Sequence, residues 1–300
     1  MAGPGTLRPP PARGERLAVL GYGLRRRAGA PLRYLFLGVF MVWIAFPFLW
    51  AISSSLRPAD RLFTPTPQWL PDPLTFENYR WALGEPTFLI PLKNSFLVSG
   101  FTVLAAVPLA ALAAYSLVRL RYPGKAAIIS AMLSAQMLPT MVLIIPIFLI
   151  YARLHIFNTI FGLVLASTAW TLPYAVILFR GFFSTLSVTL EEQAMVDGCS
   201  RLGAFFRITL PLSLPGIIAV SAFVFIWTWG DMLFPLILTK NIDTQTAALS
   251  LFTMMQSTRG ATNYGGLLAA GVLFTVPAVV LFIAVQRQLL EGLTAGALKD

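Results

Sequence analysis

A 300-residue chain with 57% AVILMFWYC residues, only 11% charged residues and a mean hydropathy of +0.76 is too apolar for a water-soluble domain of its size and belongs in lipid. Its formal charge of +10 does not imply a nucleic-acid partner, because basic residues between apolar runs report on membrane sidedness rather than on a binding patch. One cysteine, Cys199, and one histidine, His155, exclude an internal disulfide framework and speak against a zinc site, so no metal is expected.

Residues 1–32 hold six Arg among Pro and Gly and lack an uninterrupted apolar core followed by a small-residue cleavage site. They read as a disordered basic cytoplasmic tail rather than a signal peptide, with residues 33–300 forming one membrane domain. A transmembrane helix needs about 20 mostly apolar residues to cross a core of about 30 Å. Six stretches qualify: 34–52, 95–118, 127–151, 159–179, 214–238 and 265–286. The fold class expected is therefore an all-α integral membrane protein with six transmembrane helices. Prolines recur inside the stretches (Pro47, Pro108, Pro139, Pro146, Pro173, Pro235, Pro277), which bundles embedded in lipid tolerate as kinks. Counted over alternate connections, fifteen Lys and Arg fall on the side of the termini and seven on the other, so both termini are expected in the cytoplasm. Two long outer segments, 53–94 and 239–264, remain, the first rich in Pro, Trp, Phe and Asn.

The connection between spans four and five, Ser184–Pro215, is the most informative part of the chain. Thr189 followed three residues on by Glu192 reads as a capping box, and Glu191 and Glu192 complement the positive end of a helix starting there. Gly198, after Asp197, can take positive φ and stop that helix. Ser200 can cap a second helix carrying Leu202, Phe205, Phe206 and Leu210. A helix, turn, helix knob below the membrane is expected, with an amphipathic interfacial loop as the plainer alternative.

This segment resembles the inner-membrane permeases of ABC importers, whose signature is EAA, two residues, DG, nine residues, then IxLP. The chain reads Glu192, Gln193, Ala194, Met195, Val196, Asp197, Gly198, nine residues, Ile208, Thr209, Leu210, Pro211, departing only at Gln193. The resemblance implies that residues 184–213 contain a cytoplasmic coupling helix that sits in a cleft of the ATPase. Glu191, Glu192, Ala194, Asp197, Gly198, Ile208, Leu210 and Pro211 are the candidate coupling residues. SSSLRPADRLF after span one, TFENY at Thr75–Tyr79, the Asn94 and Ser95 pair, QMLPTMVLIIPIF and the C-terminal GLTAGALKD resemble the shorter, six-span permease subunit of maltose-type sugar importers. There the C-terminal tail reaches towards the ATPase, which makes Gly292 to Lys299 secondary candidates.

Span five reads FIWTWGDMLFPLIL, and Trp229, Asp231, Phe234 and Pro235 match the family pattern, with Gly230 in place of its usual Asn. Asp231 is the sole acid within an assigned span, so it should face protein, water or the pathway unless the outer interface solvates it. Trp227 and Trp229 either stack on a sugar or anchor the helix. Gln136, Asn94 and Tyr174 are further pathway candidates. No catalytic constellation emerges. The Gly124–Lys125 pair has Arg119 where a phosphate loop needs its first glycine and Ala126 where it needs Ser or Thr, so ATP and Mg belong to a partner. The implied assembly in the inner membrane comprises a second homologous permease, two cytoplasmic ATPases and an extracytoplasmic solute-binding protein, carrying a sugar or related solute. A stand-alone secondary transporter or channel would need a coupling-ion site in repeated halves, which one Asp and no internal repeat fit poorly. A membrane-bound enzyme is disfavoured by the missing catalytic residues.

Overall fold

The computed structural model describes the fold of residues 13–66, 69–256 and 263–297. Among these residues every regular element is helical. In chain order they are α1 (Arg13–Ser55), α2 (Glu77–Gly84), α3 (Pro86–Arg119), α4 (Lys125–Gln136), α5 (Thr140–Arg153), α6 (Ile160–Thr185) and α7 (Val188–Val196). After α7 come α8 (Arg201–Ala204), a π-helical turn at Phe205–Thr209, α9 (Leu210–Leu212), α10 (Leu214–Gly230), α11 (Leu233–Leu238), α12 (Ala247–Gln256) and α13 (Tyr264–Ala297).

Four segments are long and apolar enough to cross a membrane: Arg33–Ser55 of α1, α3, α6 and Tyr264–Gln288 of α13. Two further pairs of helices qualify only if each bent pair counts as one span, giving up to six. The expected third span, 127–151, is not one straight helix, because α4 and α5 meet at 99° across Met137–Pro139. Pro139 has no N–H to donate and its ring disfavours helical geometry in the residue before it, so the chain turns there. The expected fifth span, 214–238, is likewise interrupted. α10 ends at Gly230 and Asp231 is extended (ψ 129°) before α11 begins. In a continuous helix the ring of Pro235 would strike the carbonyl of Asp231, four residues earlier.

α1 reaches back to Arg13 through Pro31, within the tail read from sequence as residues 1–32, of which residues 1–12 lie outside the described ones. Once an apolar span has nucleated a helix, each added residue contributes a hydrogen bond, and Leu, Ala and Arg in this stretch favour propagation.

The core lies where α3, α6 and α10 meet. Ala106, Ala110 and Ala114 form a small-residue stripe on α3 against Val176, Phe179 and Phe183 of α6 and Val220 and Val224 of α10. Small side chains let helix backbones approach closely, which stands in for the hydrophobic effect that lipid cannot supply. Gly216 of α10 does the same against the ring of Phe182, where a Cβ would collide. α1 packs chiefly on α13, and its apolar window buries nothing within the chain.

Polar side chains fasten one end of this bundle. Asn94 on α3 donates to the carbonyls of Asp243 and Gln245, each at 2.9 Å, and Ser95 accepts from the N–H of Ala247. Asn158 accepts from the N–H of Lys240 at 2.7 Å and from the Thr244 hydroxyl at 2.7 Å. The connection between spans five and six, read from sequence as a long segment 239–264, is thereby anchored near its start and contains α12.

Candidate functional site

At the opposite end of the bundle α3 and α6 both terminate, and the chain leaves α6 through Leu186 to form a knob. α7 starts after Ser187, whose backbone is extended (φ −62°, ψ 128°) and whose side chain makes no capping bond. The capping box expected from Thr189 and Glu192 is therefore not formed, since Thr189 already lies inside the helix. Glu191 does stand in the first turn of α7, but it is not solvated. It is 3% exposed and points into the bundle. One carboxylate oxygen accepts from Arg119 Nε at 2.8 Å and the other from the Tyr115 hydroxyl at 3.0 Å. Arg119 also donates to the carbonyl of Leu186 at 3.0 Å.

The end of α7 is formed as its residues dictate. Gly198 adopts φ 89°, its N–H donates to the carbonyl of Met195 at 3.1 Å, and the N–H of Cys199 donates to the carbonyl of Ala194 at 2.9 Å. These two bonds make a Schellman turn, which satisfies carbonyls that the helix end would otherwise leave open. Ser200 caps α8 by accepting from the N–H of Gly203 at 3.1 Å. Further on, Pro211 cannot donate to the carbonyl of Arg207, and the five residues Phe205–Thr209 widen into the π-turn before a 78° bend into α10.

The surface of the knob is mixed. Glu192, Gln193, Asp197 and Pro211 are exposed, and Ala194, Ile208 and Leu210 are half-buried. Val196 is 87% exposed, Leu202 62% and Phe206 56%, an apolar patch that a polar solvent would disfavour. A cavity of about 850 Å³ opens between the end of α3 and α7, lined by Arg119, Arg121, Lys125, Glu191, Glu192 and Arg201 among others.

The second group of candidates is divided by the structure. Trp229 is 2% exposed, stacked between Phe225 and Phe274 and edge-on to Phe96, with its indole N–H donating to the Phe274 carbonyl at 3.1 Å. It serves the interior of the chain and does not line a surface, because an indole buried this way satisfies both its apolar body and its donor. Asn94 is likewise committed to the carbonyls already described. Gln136 donates to the Trp170 carbonyl at 3.3 Å. Tyr174 and Trp227 lie together, with ring centroids 5.9 Å apart, and Trp227 is exposed. Asp231 is half-buried and accepts from the N–H of Leu233 at 3.0 Å, holding the start of α11, while Gly230 beside it is exposed.

Sequence reasoning did not find Arg119 and Tyr115. Arg119 entered only as a positive charge after span two and as the residue that spoils a phosphate loop, and the available signal was a pair of acids in the knob of which one had no need to face a partner. Of the secondary candidates, Gly292–Ala297 forms the last turns of α13, and 298–300 lie outside the described residues.

Among the described residues, a helical bundle of broken and unbroken apolar spans with a glycine-turned knob at one end is the architecture of an α-helical membrane protein. The family model described as "Binding-protein-dependent transport system inner membrane component" matches residues 106–294, and the chain belongs to this family. A diacetylchitobiose uptake system permease protein of Streptomyces coelicolor is 34% identical over 87% of this chain and 94% of its own length. A trehalose transport system permease protein of Mycobacterium tuberculosis is 34% identical over 84% and 92%, and a trehalose/maltose transport system permease protein of Thermococcus litoralis 34% over 85% and 91%. Among solved structures, a chain of a bacterial ABC transporter involved in the import of alginate superposes with a TM-score of 0.76 at 19% identity, covering 93% of this chain and 99% of that one. The chain is thus a permease subunit of an ABC importer, a transport component.

Proposed function

We propose that this subunit forms half of a pathway for a sugar or oligosaccharide and takes its energy from ATPase subunits docked on the α7–α8 knob. The observation that carries the docking role is the knob itself: a Schellman turn at Gly198 with exposed Val196, Leu202 and Phe206 inside the Glu192-to-Pro211 signature. An apolar patch on a rigid turn at the end of a membrane bundle calls for a protein cover. The solute class is supported by the relatives named for diacetylchitobiose, trehalose and maltose uptake. A second, similar permease would complete the pathway, two ATPases would bind ATP and Mg in the cytoplasm with both permease termini, and a binding protein would deliver solute from outside. Closure of the ATPases would move the knobs and rock the spans between inward- and outward-facing arrangements. Of the candidate solute contacts, the open Tyr174–Trp227 pair and Asp231 are retained, because they are the aromatic and acidic groups left accessible.

Co-expression with a candidate ABC ATPase and a candidate partner permease, followed by reconstitution with a candidate binding protein, tests the proposal. Uptake of diacetylchitobiose, trehalose or maltose that needs ATP and all subunits is expected. Uptake by this chain alone, driven by an ion gradient, would overturn it.

A further inference from the structure

The knob is tied covalently to two helices, α6 through Leu186 and α10 through α8 and α9, but it touches α3 through side chains alone. One carboxylate receives two of its polar bonds, and the Tyr115 hydroxyl also lies 3.5 Å from the Arg201 carbonyl. Both oxygens of Glu191 are occupied by residues one turn apart on α3, Tyr115 at 3.0 Å and Arg119 at 2.8 Å, and the side chains of Arg119 and Glu191 are 5% and 4% exposed. Arg119 and Glu191 thus form an ion pair, at 2.8 Å. The second bond of Arg119, to the Leu186 carbonyl, grips the hinge where α6 passes into the knob. Tyr115 in turn packs on Phe205, at a centroid distance of 4.8 Å, and on Phe183, so the same residue touches the second arm of the knob and the end of α6. A buried pair of this kind is poor evidence for stability, because apolar residues of similar size often replace it without loss. What directional bonds do supply is resistance to sliding: α7 cannot shift along α3 without breaking the bonds of a mostly buried charge.

We infer that Tyr115, Arg119 and Glu191 form a clutch that makes α3 move with the knob, so that a push on α7 reaches the helix at the centre of the bundle. Arg119 and Tyr115 are positioning residues, and Glu191 faces inward to them while Glu192 faces outward. α3 packs on both α6 and α10, so a rigid link at its end would carry the displacement into the core of the chain. This inference rests on the docking role proposed for α7.

The test uses the assembled complex in lipid nanodiscs, with Cys199→Ser and nitroxide labels on Thr189→Cys in α7 and Leu104→Cys in α3. With ATP and orthovanadate as the probe, the label separation is expected to stay constant when the clutch is native. In the Arg119→Met/Glu191→Met double variant, which leaves no orphaned charge, it is expected to change with nucleotide while thermal stability stays at or above that of the native complex. A separation that changes with nucleotide in the native complex, or stays constant in the double variant, would overturn the clutch. So would a drift accompanied by a fall in thermal stability or in subunit stoichiometry, which would make the contact a brace. If the ATPase fails to co-purify with the native chain, the docking role itself fails; if it binds and the labels disobey, only the clutch does.

Discussion

Replacing Gly198 isolates the turn on which the knob depends. With φ at 89°, an L-residue at this position sits in the left-handed region, at a cost of about 1–2 kcal/mol. That cost shifts the balance between the native turn and its alternatives by roughly five- to thirtyfold. Nothing lies within 4 Å of a Cβ built on Gly198, so within this chain the penalty is confined to the backbone. Gly198→Ala should therefore insert and fold normally, and should weaken ATPase docking by no more than the turn penalty. Gly198→Asp adds charge and bulk on the surface presented to the ATPase and should abolish docking and solute-stimulated hydrolysis. The membrane portion should still pair with its partner permease, because the core of α3, α6 and α10 does not include the turn. ATPase co-purification, binding-protein-stimulated hydrolysis and uptake, compared across native, Ala and Asp forms, provide the assay. Native values for the Asp form in all three would refute the reasoning, and so would a defect in the Ala form as deep as in the Asp form.

The patch on the knob predicts that Phe206→Ser and Leu202→Ser lower ATPase co-purification without lowering the thermal stability of the isolated permease pair, since both side chains are mostly exposed. Trp229→Ala should lower stability by about 3–5 kcal/mol, the range for emptying a buried aromatic site, and reduce expression instead of altering solute preference. A stable Trp229→Ala complex with changed solute selectivity would restore Trp229 to the pathway. Asp231→Asn keeps an oxygen to accept from the Leu233 N–H, whereas Asp231→Ala loses it at a cost of about 1 kcal/mol. A transport defect common to both points to the charge, and one confined to Ala points to the start of α11.

Much of the chain could be read directly. Apolar stretches of membrane-spanning length, a glycine able to take positive φ and a serine able to cap are local properties, and Gly198 and Ser200 adopt the roles their chemistry favours. Prolines were harder to read. Pro47, Pro108 and Pro173 stay inside continuous helices, whereas Pro139 breaks one and Pro235 follows a break. Nothing local separates them, because neighbouring helices decide whether a freed carbonyl finds another partner.

The two adjacent acids show where local information ends. Sequence alone placed Glu191 and Glu192 on a short helix between two apolar spans and attached an ATPase-coupling signature to them, because turn chemistry and spacing act over a few residues. Only the tertiary structure turned Glu191 inward onto Tyr115 and Arg119, more than seventy residues earlier, and left Glu192 outside. It likewise buried Trp229 against Phe274 and left Trp227 open, although both stand in the same motif. On a helix, residues one or two apart face different neighbours, and which neighbour each one meets is fixed by packing between segments distant in the chain.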